Sequence, residues 1–194
     1  NGKSKWITNE ESRSLVHSFR AEFDAIIIGG NTLRKDNPLL TTRGFKTTEP
    51  LRVVFTKTLD LPTKSNLWDC SEAKTLVIYD SSTANESYLK RIPKCVEVES
   101  LSSDDPGLIS KILASRGCNK VLWECGPSLA TAAIQSNCIQ EIITFIAPKI
   151  LGGENGMSPF GDFEFKEMHE VIKLSDSQVD LISNDICIKS FLKN

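Results

Sequence analysis

Apolar and polar positions along the chain divide it into two regimes. Leu15, Phe19 and Phe23 recur at helical spacing behind Thr8, Asn9, Glu10 and Glu11. That spacing predicts an amphipathic helix over 10–22, capped by Thr8 or Asn9, with acidic residues in its first turn. Asp24 to Ile28 is a short apolar run ending in Gly29-Gly30, the pattern of a strand buried on both faces. Thr32 is then expected to cap a short helix, and Pro38 to turn Asn37 out of helical geometry. Further strands are predicted at 51–56, 75–79 and 95–98. Residues 59–67 read as irregular, and 87–91 as a short helix stopped by Pro93. Asp104-Asp105-Pro106 opens a helix that ends near Gly117. Val121-Leu122-Trp123 is a strand closed by Glu124, and Gly126-Pro127-Ser128 starts a helix running to about Ser136. After that the chain turns strand-rich, with strands expected at 141–148, 171–174 and 185–192 and partial alternation over 175–181. Strand–helix alternation followed by strands predicts one α/β domain over 1–194, a mostly parallel sheet finished by antiparallel strands.

Composition narrows the classes. The 194 residues suit one domain with a sizeable core, and 40% hydrophobic with 25% charged residues is ordinary for a globular protein. A net charge of −2 gives no electrostatic footprint for nucleic acid. No apolar run is long enough to cross a bilayer. The six cysteines form no C-x-x-C pair, and His17 and His169 lie near none of them in sequence. Buried reduced thiols are the reading, with no zinc site and with Cys125 unsupported as a nucleophile.

Two strand-to-helix corners carry the candidate chemistry. Glu124 stands at a strand end, where open α/β sheets bind ligands, and a carboxylate there needs a partner to be buried. Gly126-Pro127-Ser128 is a candidate phosphate cradle at a helix N-terminus, set against the plainer reading of a structural turn. Gly29-Gly30-Asn31-Thr32 is a second such corner, and two corners in one sheet could hold the two ends of a dinucleotide. Arg20 and Arg43 could grip a phosphate through bidentate contacts, and Lys57 could meet a 2′-phosphate.

Four segments then resemble a known family, the reductase domain of the bifunctional riboflavin-biosynthesis deaminase/reductase. They are Ser4-Lys5-Trp6-Ile7-Thr8; Arg20-Ala21-Glu22 with Asp24-Ala25-Ile26; Thr32 with Asp36-Asn37-Pro38-Leu39-Leu40-Thr41-Thr42-Arg43; and Glu124 to Ala130 with Ala147 to Gly153. The stretches around Leu59-Asp60-Leu61-Pro62 and Leu67-Trp68-Asp69 look most like the plant and cyanobacterial branch.

The resemblance implies a dihydrofolate-reductase-like fold, NADPH, and reduction of 5-amino-6-(5-phosphoribosylamino)uracil by hydride transfer to ribose C1′. It implies that Ser4, Arg20, Leu40, Arg43 and Glu124 meet the substrate. Trp6, Thr32, Asp36 and the turn Gly126, Pro127, Ser128, Leu129, Ala130 and Thr131 match cofactor positions. Asp36, as proton relay, and Glu124 are the catalytic candidates. The family's opening strand, which carries a lysine, and its zinc deaminase domain have no counterpart here, so residues ahead of Asn1 and a fused or associated deaminase are expected. A homodimer through the C-terminal strands is expected, in bacterial cytoplasm or plastid stroma. The alternatives are a related reductase acting on a diaminopyrimidinone ribotide or pteridine, and a catalytically silent binding or dimerisation module.

Overall fold

The computed structural model describes residues 6–150 and 158–193. Helix α1 (Glu10–Glu22) leads into β1 (Ala25–Gly29), α2 (Gly30–Asp36), β2 (Leu51–Thr56), β3 (Thr75–Asp80) and β4 (Glu97–Leu101). Helix α3 (Pro106–Ser115), β5 (Val121–Trp123), α4 (Pro127–Gln135), β6 (Glu141–Ile146), β7 (Leu174–Ile182) and β8 (Asp185–Leu192) follow. The parallel strands form one sheet in the order β4-β3-β2-β1-β5, and β6-β8-β7 form a separate antiparallel sheet. The α/β architecture is as expected, but the antiparallel strands make their own sheet. Among the described residues no strand pairs with the outer edge of β5 or of β6.

Strand β3 and all but one end residue each of β1 and β2 are buried, as apolar runs predict, although β2 carries buried Arg52 at its second position. Alternate side chains serve opposite faces. Ile26, Ile28, Val54 and Val77 pack with Leu33, Leu40, Leu59 and Trp68. Ile27, Val53, Leu76 and Ile78 pack with Ile109 and Leu113 of α3. Asp24 locks the entry to the sheet: its carboxylate accepts from the amides of Asn119 (2.8 Å) and Lys120 (2.9 Å).

Helix α1 bridges the two sheets. Asn9 caps it by accepting from the Ser12 amide at 2.7 Å. Buried Asp185, at the start of β8, accepts from the Asn9 amide (2.7 Å) and the Ser12 hydroxyl (2.8 Å). Phe19 meets Phe145 of β6 with ring centroids 6.4 Å apart. A groove of about 650 Å³ lies between the sheets, lined by residues of α1, β5, α4 and β6.

Several local expectations shift. Gly29 caps α2, and Thr32 lies inside it, because a glycine ending a buried strand already supplies the extended cap backbone. The strand expected at 171–174 is β7, beginning only at Leu174; the half-alternating stretch after it is the strand itself, with a register irregularity between Ser175 and Gln178. The fourth strand starts at Glu97 rather than Cys95. Residues 86–91 form a 3-10 turn, as do Asn66–Trp68.

Candidate functional site

Because β1 and β5 are parallel neighbours, their carboxyl ends deliver two corners side by side. One runs from Gly29 into α2, the other from Gly126 into α4. A Cβ on Gly126 would lie 3.9 Å from Thr32 Oγ1, and one on Gly29 would lie 3.8 Å from Leu129. A cavity of about 330 Å³ opens between the corners, lined by Gly29–Thr32 and Gly126–Leu129, and by Lys57 and Asp104 at its rim.

The helix caps distinguish these corners. Asn9 and Asp105 cap α1 and α3 with their own side chains. Neither Gly29 nor Gly126 can do so, leaving the first amides of α2 and α4 without a side-chain acceptor. Both ends face the same cavity, so partial positive charge from two helices converges there. Pro127, lacking an N–H, costs α4 nothing at its first position.

On the other flank of the second corner, Glu124 lines the inter-sheet groove. Its amide donates to Ile27 O at 3.0 Å, carrying the β5 register one residue past the strand. Its carboxylate is held bidentately by Arg20 of α1, Nε to Oε1 at 2.7 Å and Nη2 to Oε2 at 2.8 Å. Arg20 Nη1 also donates to Thr41 O at 3.1 Å. The other Nη1 N–H faces His17 Nδ1 at 3.2 Å. Arg20 is therefore committed to Glu124, a backbone carbonyl and the imidazole edge, leaving one N–H on Nη2 for a ligand.

Sequence reasoning missed His17, one helical turn before Arg20, a spacing that would have placed both on one face. Its Nδ1 donates to Thr41 O at 2.9 Å, and burial, ahead of the charges of Arg20 and Arg43, lowers its pKa. The loop carrying Thr41 is wound tightly: Asn37, Leu40 and Arg43 have φ of 41°, 55° and 51°, all left-handed. Leu40 is buried in the core, and Thr42 is fixed by Glu49 through its amide (2.7 Å) and hydroxyl (2.9 Å). Arg43 emerges exposed, with no hydrogen bond or ion pair among the described residues.

The other candidates are dispersed. Thr32, Lys57 and Gly126 to Leu129 line the smaller cavity; Ala130 lines the groove. Lys57 is ion-paired with Asp104, a residue the sequence did not flag. Thr131 is buried and accepts from the Gly161 amide at 2.8 Å, a structural anchor. Asp36 is exposed at the end of α2 and lines neither cavity. Trp6 is 62% exposed under the Arg13 guanidinium, and Lys149 donates to its carbonyl at 3.2 Å. Ser4 lies outside the described residues. Burial pushes the Cys125 thiol up to about 12, so it stays protonated and is no nucleophile. Among the described residues no cluster of His, Cys, Asp and Glu could hold a metal ion, and no helix is long and apolar enough to cross a membrane.

Comparison with known proteins places this geometry. The Riboflavin biosynthesis protein RibD of Synechocystis is 41% identical over 191 residues, covering 97% of this chain and 51% of the relative. The chloroplastic Riboflavin biosynthesis protein PYRR of Arabidopsis thaliana is 39% identical over 193 residues, covering 99% of this chain and 32% of the relative. The chain thus spans about half the length of the first of these relatives and about a third of the second. A Thermotoga maritima structure titled as a diaminohydroxyphosphoribosylaminopyrimidine deaminase/5-amino-6-(5-phosphoribosylamino)uracil reductase superposes with a TM-score of 0.78 at 25% identity, over 99% of this chain and 51% of that one. Acinetobacter baumannii RibD shares the fold at 23% identity, with a TM-score of 0.81, over 100% of this chain and 53% of that one. The model of the RibD C-terminal domain matches residues 1–188, and the chain belongs to that family.

Proposed function

We propose that the chain reduces 5-amino-6-(5-phosphoribosylamino)uracil with NADPH, opening the ribosylamine to the ribitylamine. The observation that carries this is the cavity between two helix N-termini without side-chain caps, adjoining the Arg20–Glu124 pair. The cradle fits a dinucleotide. Gly29 and Gly126 let backbone approach a ligand, and amides of Asn31, Thr32, Ser128 and Leu129 supply donors for phosphate oxygens. Bound there, the nicotinamide would supply a hydride. Arg43, exposed and unengaged, would grip the substrate phosphate, with Leu40 setting the loop that presents it. Glu124, oriented by Arg20, would accept hydrogen bonds from the pyrimidine or the ribose hydroxyls. Asp36 lines neither cavity, so its part as a proton relay rests on the family resemblance alone. Holding the reacting groups in place supplies most of what the reaction asks of a protein.

The decisive experiment is NADPH oxidation by the purified chain, presented with the deaminated pyrimidine ribotide. Turnover with that substrate, and none with the diaminopyrimidinone ribotide, supports the reading. The reverse preference transfers it to the related reductase. NADPH binding without turnover of either leaves a binding module. Arg43→Ala should raise the substrate KM about tenfold, roughly 1.4 kcal/mol, and leave the NADPH Kd unchanged. An unaltered KM would remove Arg43 from the phosphate site.

One assembly feature follows from the antiparallel sheet. Its face away from α1 carries Ile146, Val179 and Leu181 at 46%, 64% and 75% exposure, and cross-strand register places Ile186 and Ile188 beside them. Such an apolar face supports a homodimer through these strands. Sedimentation as a monomer at micromolar concentration would refute it. A deaminase partner and a cytoplasmic or plastid setting are consistent with the bacterial and chloroplastic relatives.

A further inference from the structure

At the amino ends of the parallel strands, opposite the cavity, a short segment is held with unusual firmness. Arg52, at the start of β2, is fully buried. Its Nη2 donates to Asp69 O (2.7 Å) and Ala73 O (2.6 Å), with Leu67 O at 3.2 Å sharing one of these two N–H groups, and its Nε donates to Thr75 Oγ1 (3.1 Å), while Nη1 is buried without a partner among the described residues. Within that segment Ser65 caps the Asn66–Trp68 turn, and Trp68 Nε1 donates to Pro62 O at 2.9 Å. Cys70 follows directly. Facing it is Cys95, in the turn before β4 that is closed by the Val96 amide donating to Pro93 O at 3.0 Å. The two sulfurs lie 2.7 Å apart, and both thiols point at Trp68 O, at 3.7 and 3.6 Å. Both are free thiols, half-buried at Cys70 and exposed at Cys95.

We infer that Cys70 and Cys95 are a redox pair, forming a reversible disulfide staple between the Arg52-held segment and the turn before β4. A disulfide needs sulfurs at 2.03–2.05 Å, so closing it asks for about 0.7 Å of approach from segments already fixed in place. The oxidant class is a small-molecule disulfide such as glutathione disulfide. The Cys95 thiolate attacks one of its sulfurs and releases one glutathione thiolate, leaving a mixed disulfide on Cys95. The Cys70 thiol gives up its proton, and its sulfur attacks Cys95 Sγ and displaces the second glutathione. Two protein thiols are oxidised, and one disulfide is reduced to two thiols. Burial, with the neighbouring Cys95, pushes the Cys70 thiol up to about 11, which disfavours its thiolate and leaves entry to exposed Cys95; its own attack on the mixed disulfide is helped by the 2.7 Å separation of the two sulfurs. The staple encloses β3 and the Glu86–Arg91 turn. It therefore steadies the edge of the sheet farthest from β5.

The test incubates the full chain with glutathione disulfide, alkylates it in denaturant and maps the peptides. Four alkylated cysteines of the six, a Cys70–Cys95 cross-linked peptide and a Tm raised by about 5 °C, all reversed by dithiothreitol, are expected. Cys70→Ser should retain a single glutathione on Cys95 and lose the Tm shift. Six alkylated cysteines after oxidation, a persistent glutathione adduct on the unaltered chain, a different cross-linked pair, or a cross-link with unchanged Tm would each overturn the inference. The alkylation readout uses the unaltered chain, so a poorly folding variant does not rescue it.

Discussion

Arg20 and Glu124 show how one contact changes the reading of two residues. Sequence placed a lone carboxylate at a strand end and an arginine on a last helical turn, with no means of joining positions 104 residues apart. The fold joins them because α1 crosses the end of β5. His17 completes the group, and its pKa sets a testable pH dependence. A histidine whose folded pKa lies below the unfolded value binds protons more readily when unfolded. Stability is then full above pH 6.5, the ordinary value, and falls as pH drops through it. Urea midpoints measured from pH 7.5 to 5.5 should fall for the unaltered chain and flatten for His17→Gln. Arg43 carries a different tension. A left-handed backbone costs a non-glycine residue about 1 kcal/mol or more. Arg43→Gly should therefore gain stability by denaturant melting while losing substrate affinity, so selection for stability and for turnover would pull this position apart.

The elements were legible where hydrophobic period and punctuation agreed. Helix α1 spans the residues predicted from Leu15, Phe19 and the Asn9 cap, β1 and β3 follow from short apolar runs, and β2 was legible despite Arg52 within it. Boundaries failed where backbone geometry did the work a side chain was expected to do, as at Gly29 and Thr32. Strand β7 was cut short because its outward side chains are apolar, which blurs period two. Gly30 marks the tightest element junction: a Cβ there would lie 3.1 Å from Thr56 Oγ1 and 3.2 Å from Leu61. Gly30→Ala should cost about 1–2 kcal/mol of stability by urea titration, since Thr56 and Leu61 are themselves buried. Weaker NADPH binding should accompany it. At the cavity rim, Asp104→Asn should release Lys57 and raise the preference for NADPH over NADH several-fold in paired Kd measurements. An unchanged ratio would detach Lys57 from the 2′-phosphate.

At the scale of the whole molecule, the order of strands was not readable from the sequence, because pairing partners depend on contacts distant in the chain. The splitting into two sheets was hidden for the same reason. That division has a consequence for how the protein fails. Strands β1, β2 and β3 each pair on both sides, whereas β5 is three residues long, half-buried and, among the described residues, paired with β1 alone. Glu124 rides on the end of that strand. Amide exchange should find β5 opening well before β1–β3. On gentle heating the carboxylate would then lose its alignment with Arg20 while most of the chain stays native. Activity should vanish at a temperature where far-ultraviolet circular dichroism still reports an intact fold, and return on cooling.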